Sequence, residues 1–261
     1  MKSKSIGIIA DNNKRAQEAM SAIESQYDVV VLDDAKGAEY VDIIIALGGD
    51  GFMLHILHDY IDFNIPIYGM NCGTVGFLMN NFSTENLLER LENAKMTKIH
   101  PLLATAKNTK GQTKEELAFN EVSLLRKTGQ AAKISIHVDD HCQLEEMISD
   151  GILVSTPAGS SAYNFSVGGP IIPIKSNILA ITPISPFRPR RWRGALLPNN
   201  VVIKLDILEH KKRPVNAVAD FRDIKDIVSI EIKEDKDQYI SLLFDPGHSL
   251  EERILHEQFI T

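Results

Sequence analysis

At 261 residues, with 44% hydrophobic and 24% charged side chains, the chain has the make-up of a globular protein of one large or two modest domains, not of a disordered one. A formal net charge of −7 argues against nucleic acid as a principal partner, because phosphate backbones are held by clustered Lys and Arg. No apolar run approaches the ~20 residues of a membrane-spanning helix. Cys72 and Cys142 stand apart without zinc or disulfide spacing, so a cytoplasmic protein with reduced, structural thiols and no membrane contact is expected.

The first elements alternate. SIGIIA (5–10) reads as a buried strand, and KRAQEAMSAIES (14–25) as a helix with Ala16, Met20 and Ile23 on one face. VVVL (29–32) reads as a second strand. VDIIIAL (41–47) is apolar on successive residues, as a strand covered on both faces must be. IPIYGM (65–70) follows, then STENLLERLENAK (83–95) as a capped amphipathic helix. This rhythm predicts a doubly wound α/β domain with a parallel sheet over 1–98.

From about His100 the pattern changes to short alternating runs: AFNEVSLLR, AKISIHVDD, VVIKLDILE, DIVSIEIKE and YISLLFD. They predict an antiparallel β-rich domain, a β-sandwich, over 99–245. The final stretch, HSLEERILHEQF, reads as a helix, so 246–261 is expected to pack back on the first domain.

Four blocks carry the chemistry. Gly48-Gly49-Asp50-Gly51 follows a buried strand, which puts flexible backbone and one carboxylate at the sheet edge where open α/β folds bind ligands. The alternative is a tight turn with Asp50 capping the next helix. GMNCGTVGFL (69–78) repeats the logic one strand later, either as a second ligand loop or as a turn that sends Phe77 and Leu78 into the core. Asn120-Glu121, an amide beside an acid, suits vicinal hydroxyls or an adenine edge, though such a pair is also ordinary on a surface. In SDGILVSTPAGSSAYNFSVGGP (149–170), small residues surround Asp150, and Tyr163 can lie on a planar base. Arg188, Arg190, Arg191 and Arg193 around Trp192 form a phosphate-site candidate on an acidic chain, or a solvated or subunit-contact face. His55 and His58 fall on a predicted helix and are read as packing or surface residues.

In order and context these blocks resemble the NAD kinase family, across roughly residues 6–250. GGDG alone also marks lipid kinases; TPAGSSAYNFSVGGP is what separates the two. The resemblance implies phosphoryl transfer to the adenosine 2′-hydroxyl of NAD, giving NADP, with Asp50 as general base, Gly51 lining the phosphate loop, and Gly49 and Phe77 among the binding residues. It implies that Asn120 and Glu121 hold the adenosine end and Asp150 the far end of the dinucleotide. Ser161, Ala162, Tyr163, Asn164, Phe165 and Ser166 would line the rings and pyrophosphate. The donor would be ATP with Mg²⁺ or another divalent cation, or polyphosphate, with no metal ligand assigned in the chain, and the protein would be a homodimer or homotetramer. Three positions depart from the family pattern. Phe52 replaces the usual threonine, Ser161 stands for threonine, and Ile148 occupies a frequent arginine position, a loss that Arg193 or a neighbour in its cluster would make good. The rival readings are another small-molecule kinase, such as a lipid kinase, and a catalytically silent dinucleotide sensor.

Overall fold

The computed structural model describes residues 5–33, 35–73 and 76–247. The chain divides into two compact units, one of Met1–Ile99 with Gln238–Thr261, the other of His100–Asp237. No helix among the described residues is long and apolar enough to cross a membrane. The helix expected over HSLEERILHEQF, from His248 on, lies outside the described residues.

The first unit contains β1 (Ile6–Ala10), α1 (Lys14–Glu24), β2 (Val30–Val31), β3 (Ile43–Gly48), α2 (Asp50–Tyr60), β4 (Ile67–Asn71), β5 (Asn80–Asn81), α3 (Leu87–Asn93) and β6 (Lys95–Ile99). In its sheet β2, β1, β3 and β4 run parallel in that order, with β5 also beside β4. Every residue of β3 is buried, which is why its sequence is apolar without alternation. α1 begins where the Asn13 side chain accepts the Ala16 N–H at 3.0 Å, and it buries Ala16, Ala19 and Ile23. The helix expected over 83–95 is only Leu87–Asn93, because Asn86 sits at φ 50 and Lys95 already belongs to β6.

In the second unit lie β7 (Leu102–Asn108), β8 (Thr113–Ala118), β9 (Glu121–Arg126), β10 (Ala132–Val138), β11 (His141–Ser149) and β12 (Gly151–Ser155). The short helix α4 (Tyr163–Ser166) follows, then β13 (Ile178–Ile184), β14 (Ala195–Pro198), β15 (Ile203–Ile207), β16 (Val215–Ala219) and β17 (Arg222–Glu234). They form one continuous sheet of eleven antiparallel strands. Its two ends close over a common core: Ile136 and Leu144 of β10 and β11 pack with Ile181 and Leu197 of β13 and β14. One sheet folded over itself thus supplies both layers.

One run changes place. YISLLFD, assigned from sequence to the β domain, forms β18 (Ile240–Phe244), which joins the first sheet parallel to β4 and antiparallel to β6. All five residues are buried. Burial at successive positions means that both faces of the strand are covered, so Leu242, Leu243 and Phe244 form an apolar run without alternation.

Candidate active site

In the first unit two loops leave the same sheet edge. Gly48 and Asn71 are register partners at the ends of β3 and β4, and Cys72 N–H donates to the Gly48 carbonyl at 2.8 Å. Asp50 opens α2, where the positive end of the helix dipole favours a carboxylate. The cap residue is Gly49, which makes no side-chain capping bond. The Asp50 carboxylate accepts the Phe77 N–H on Oδ2 at 2.7 Å and the Leu78 N–H on Oδ1 at 3.0 Å. The acid of the first loop is therefore oriented by the backbone of the second. Phe77 serves through its N–H, and its ring is half-buried. Gly51 is exposed next to Asp50, and the Phe52 ring folds back on the bare Gly48 backbone, where a Cβ would lie 2.6 Å from it. A hollow of about 370 Å³ opens beside the second loop, with Arg15, Asn71, Cys72 and Phe82 in its wall.

The second unit holds a different acid pair. Asp220, at φ 54 after β16, accepts the backbone N–H groups of Phe119, Asn120 and Glu121 at 2.7, 2.9 and 3.3 Å. This fixes the bend that precedes β9, so Asn120 lies in a turn and Glu121 is the first strand residue, rather than both lying inside one strand. Burial, then the neighbouring Asp220 carboxylate, push the Glu121 carboxyl up to about 8, against a lowering by the Tyr163 backbone N–H. Its Oε2 is buried without a hydrogen-bond partner. An orphaned acceptor of this kind carries a desolvation cost that a ligand donor would relieve.

The 156–166 turn is fastened onto the same bend. Thr156 Oγ1 donates to the Phe119 carbonyl at 2.6 Å and accepts the Gly159 N–H at 3.0 Å. Gly159 admits no side chain, since a Cβ would fall 2.1 Å from the Asn120 carbonyl oxygen. Asn164 is fully buried: it donates to the carbonyls of Ser160 and Pro170 at 3.2 and 2.9 Å, and accepts from Thr182 at 2.7 Å. Its side chain shapes the turn from inside. Ser161, Ala162 and Tyr163 are half-buried, and Phe165 and Ser166 are exposed. Asp220 was missed in the sequence, although an acid directly after the alternating VNAVA strand was visible there.

Comparison with known proteins settles the lineage. The family model for the ATP-NAD kinase N-terminal domain matches residues 2–98, and that for the ATP-NAD kinase C-terminal domain matches residues 119–226. An NAD kinase of Cereibacter sphaeroides is 49% identical over 255 residues, covering 98% of both chains. One from Brucella suis is 51% identical over 238 residues, covering 91% of this chain and 93% of its own.

The chain belongs to the NAD kinase family.

Two solved structures share the fold. Yeast NADH kinase, complexed with NADH, has a TM-score of 0.83 at 20% identity, covering 98% of this chain and 88% of its own. An NAD kinase from Archaeoglobus fulgidus, in complex with ATP, has a TM-score of 0.77 at 21% identity, covering 97% and 98%.

Within this NAD kinase family chain Asp150 stands apart from Glu121. The two occupy opposite ends of the β9–β12 pair, where Ser155 faces Glu121 and Gly151 faces Leu125. Four residues of strand separate those ends by roughly 13 Å. Asp150 pairs with Arg126, both partly exposed. Ile148, the departed arginine position, is bridged through backbone by Arg188: Ile148 N–H donates to the Arg188 carbonyl at 2.9 Å, and Phe187 N–H donates to the Ile148 carbonyl at 2.7 Å. The member of the arginine cluster beside that position is thus Arg188. Arg193 is exposed beyond Trp192, which packs on the sheet core. Among the described residues no three His, Cys, Asp or Glu side chains converge as a metal cage.

Proposed function

We propose that this chain is an NAD kinase that moves the terminal phosphoryl group of ATP to the adenosine 2′-hydroxyl of NAD, giving NADP and ADP. The observation that carries this reading is the Asp50 carboxylate, held by two backbone N–H groups at the ligand-binding edge of a parallel sheet. In the proposed step Asp50 takes the 2′-hydroxyl proton as the new O–P bond forms and the bond to the ADP oxygen breaks. Divalent cation would arrive on the donor phosphates, where it neutralises developing charge. The buried Glu121 oxygen supports recognition of ribose hydroxyls, which are donors of the kind it lacks. The half-buried Tyr163 backs the place of a planar ring.

The test is NADP formation by purified protein from NAD and MgATP, read through glucose-6-phosphate dehydrogenase, with inorganic polyphosphate as a second donor. NADP should accumulate and diacylglycerol should stay unlabelled. Label in lipid without NADP would favour the lipid-kinase reading, and NAD binding without turnover would favour a sensor.

We place the protein in the cytoplasm and assign it a homo-oligomer through the β domain. Phe187 and Leu196 are 50% and 52% exposed there, on the segment that carries four arginines. Exposed apolar side chains on an arginine-bearing segment, with Arg188 and Arg190 over the Phe187 ring, suit a contact between copies. Light scattering should report a dimer or tetramer at micromolar concentration. A fully active monomer would overturn the assignment.

A further inference from the structure

The first unit contains a polar network that neither loop explains. Asn80, at the start of β5, is fully buried. Its Nδ2 donates to the carbonyls of Gly69 and Leu243 at 3.0 and 2.9 Å, and its Oδ1 accepts the Asp245 N–H at 2.9 Å. One amide therefore pins β5 to the centre of the sheet through the backbone of β4 and the end of β18. Behind it, the Asp245 carboxylate accepts the Tyr68 hydroxyl at 2.6 Å and pairs with Arg90 at 2.6 Å. Arg90 also donates to the carbonyls of Asn81 and Ser83 at 2.8 and 2.9 Å, which brackets the segment on its far side. The Arg90 and Asp245 side chains are only 19% and 12% exposed. Burial, then the Asp245 bond, push the Tyr68 phenol above its ordinary range, so it stays a neutral donor.

The network begins two residues after the N–H groups that orient Asp50. Met79, between them, packs on bare backbone: a Cβ on Gly69 would lie 2.6 Å from Met79 Sδ and 2.3 Å from Met53 Cε. Met53 belongs to α2, the helix that Asp50 opens. The helix bearing the acid and the loop aiming it thus rest on the same glycine, whose carbonyl is held by Asn80.

We propose that Asn80, braced by Asp245, Arg90 and Tyr68, is a positioning residue that sets the Asp50 carboxylate for proton transfer. The inference rests on Asp50 being the base, and its effect runs through the N–H groups of Phe77 and Leu78. Small displacements matter, because misplacing a reacting group by an ångström can cost about 100-fold in rate.

The experiment combines kinetics with hydrogen exchange on the full chain. Asn80→Ser, which cannot reach all three backbone partners, should lower kcat by about 10-fold or more, with KM for NAD and ATP within about threefold. The Phe77 and Leu78 amides should exchange about 10-fold faster. In an Asp50→Asn background, Asn80→Ser should cost nothing further, because the two changes remove one function. Should Asn80→Ser fail to fold, Tyr68→Phe, which keeps the Arg90–Asp245 pair, should give the same pattern at about two- to fivefold. The inference is overturned if folded Asn80→Ser, or Tyr68→Phe in its place, keeps wild-type kcat and unchanged exchange at 77 and 78, or if its losses add to those of Asp50→Asn. A fully active Asp50→Asn would sink the base assignment instead, and the exchange of the two amides would then decide the positioning alone.

Discussion

Replacing Asp50 with asparagine should lower kcat by about 10²–10⁴-fold, the range that a positioned general base contributes. The change is close to isosteric, but it swaps one acceptor oxygen for an NH₂ group. Both oxygens now accept backbone N–H groups, from Phe77 and Leu78, so in the variant one donor must face another. That mismatch should cost roughly 1 kcal/mol of stability, far less than the fold needs to survive. NAD affinity should change little, since an amide still hydrogen-bonds a ribose hydroxyl. Melting, calorimetric NAD binding and turnover on one preparation separate these effects. Retention of more than about a tenth of wild-type kcat would mean that the proton leaves by another route. A capping role predicts no change in turnover, because asparagine caps as well as aspartate. The cap position at α2 is in any case filled by Gly49.

The parallel sheet was legible because buried strands announce themselves as unbroken apolar runs, and Ile43–Gly48 is buried at every residue. The same rule, applied to Leu242-Leu243-Phe244, places β18 in that sheet. Its neighbours in sequence are antiparallel strands, so by context the run reads as part of the β domain. The helix over 83–95 was overextended because the apolar spacing of Leu87 and Leu91 persists while Asn86 turns left-handed before it. Asp50 and Glu121 were visible as acids in unusual company. The partners that give them their chemistry were not. Asp220 lies 99 residues from Glu121, and the Tyr68–Asp245 bond spans 177 residues. Local pattern cannot pair side chains across such distances; the fold brings them together. Asn164 shows the converse, a polar residue in a glycine-rich turn whose side chain is spent on carbonyls and a threonine within the protein.

The titration of Glu121 should make stability fall as pH rises. Its carboxyl lies at about 8 in the folded chain, against 4.5 for the group in its ordinary state. Between those values the native state binds more protons than the unfolded one, so the slope of unfolding free energy with pH is negative. The favourable contribution is complete below about 4.5 and is lost as pH passes through 8. A displacement of this size corresponds to something on the order of 5 kcal/mol. Glu121→Gln cannot ionise, so its stability should lose this slope and exceed that of the wild type above pH 8. Chemical denaturation of both proteins across pH 5–9 measures the difference, and parallel curves would show that Glu121 titrates as an exposed acid. Dinucleotide should act on the same group. Hydroxyl donors reaching the buried Oε2 favour the carboxylate, so NAD binding near neutral pH should release a proton that calorimetry in two buffers of different ionisation enthalpy can count. In Glu121→Gln that release should vanish, while a proton count unchanged by the substitution would assign it to another group.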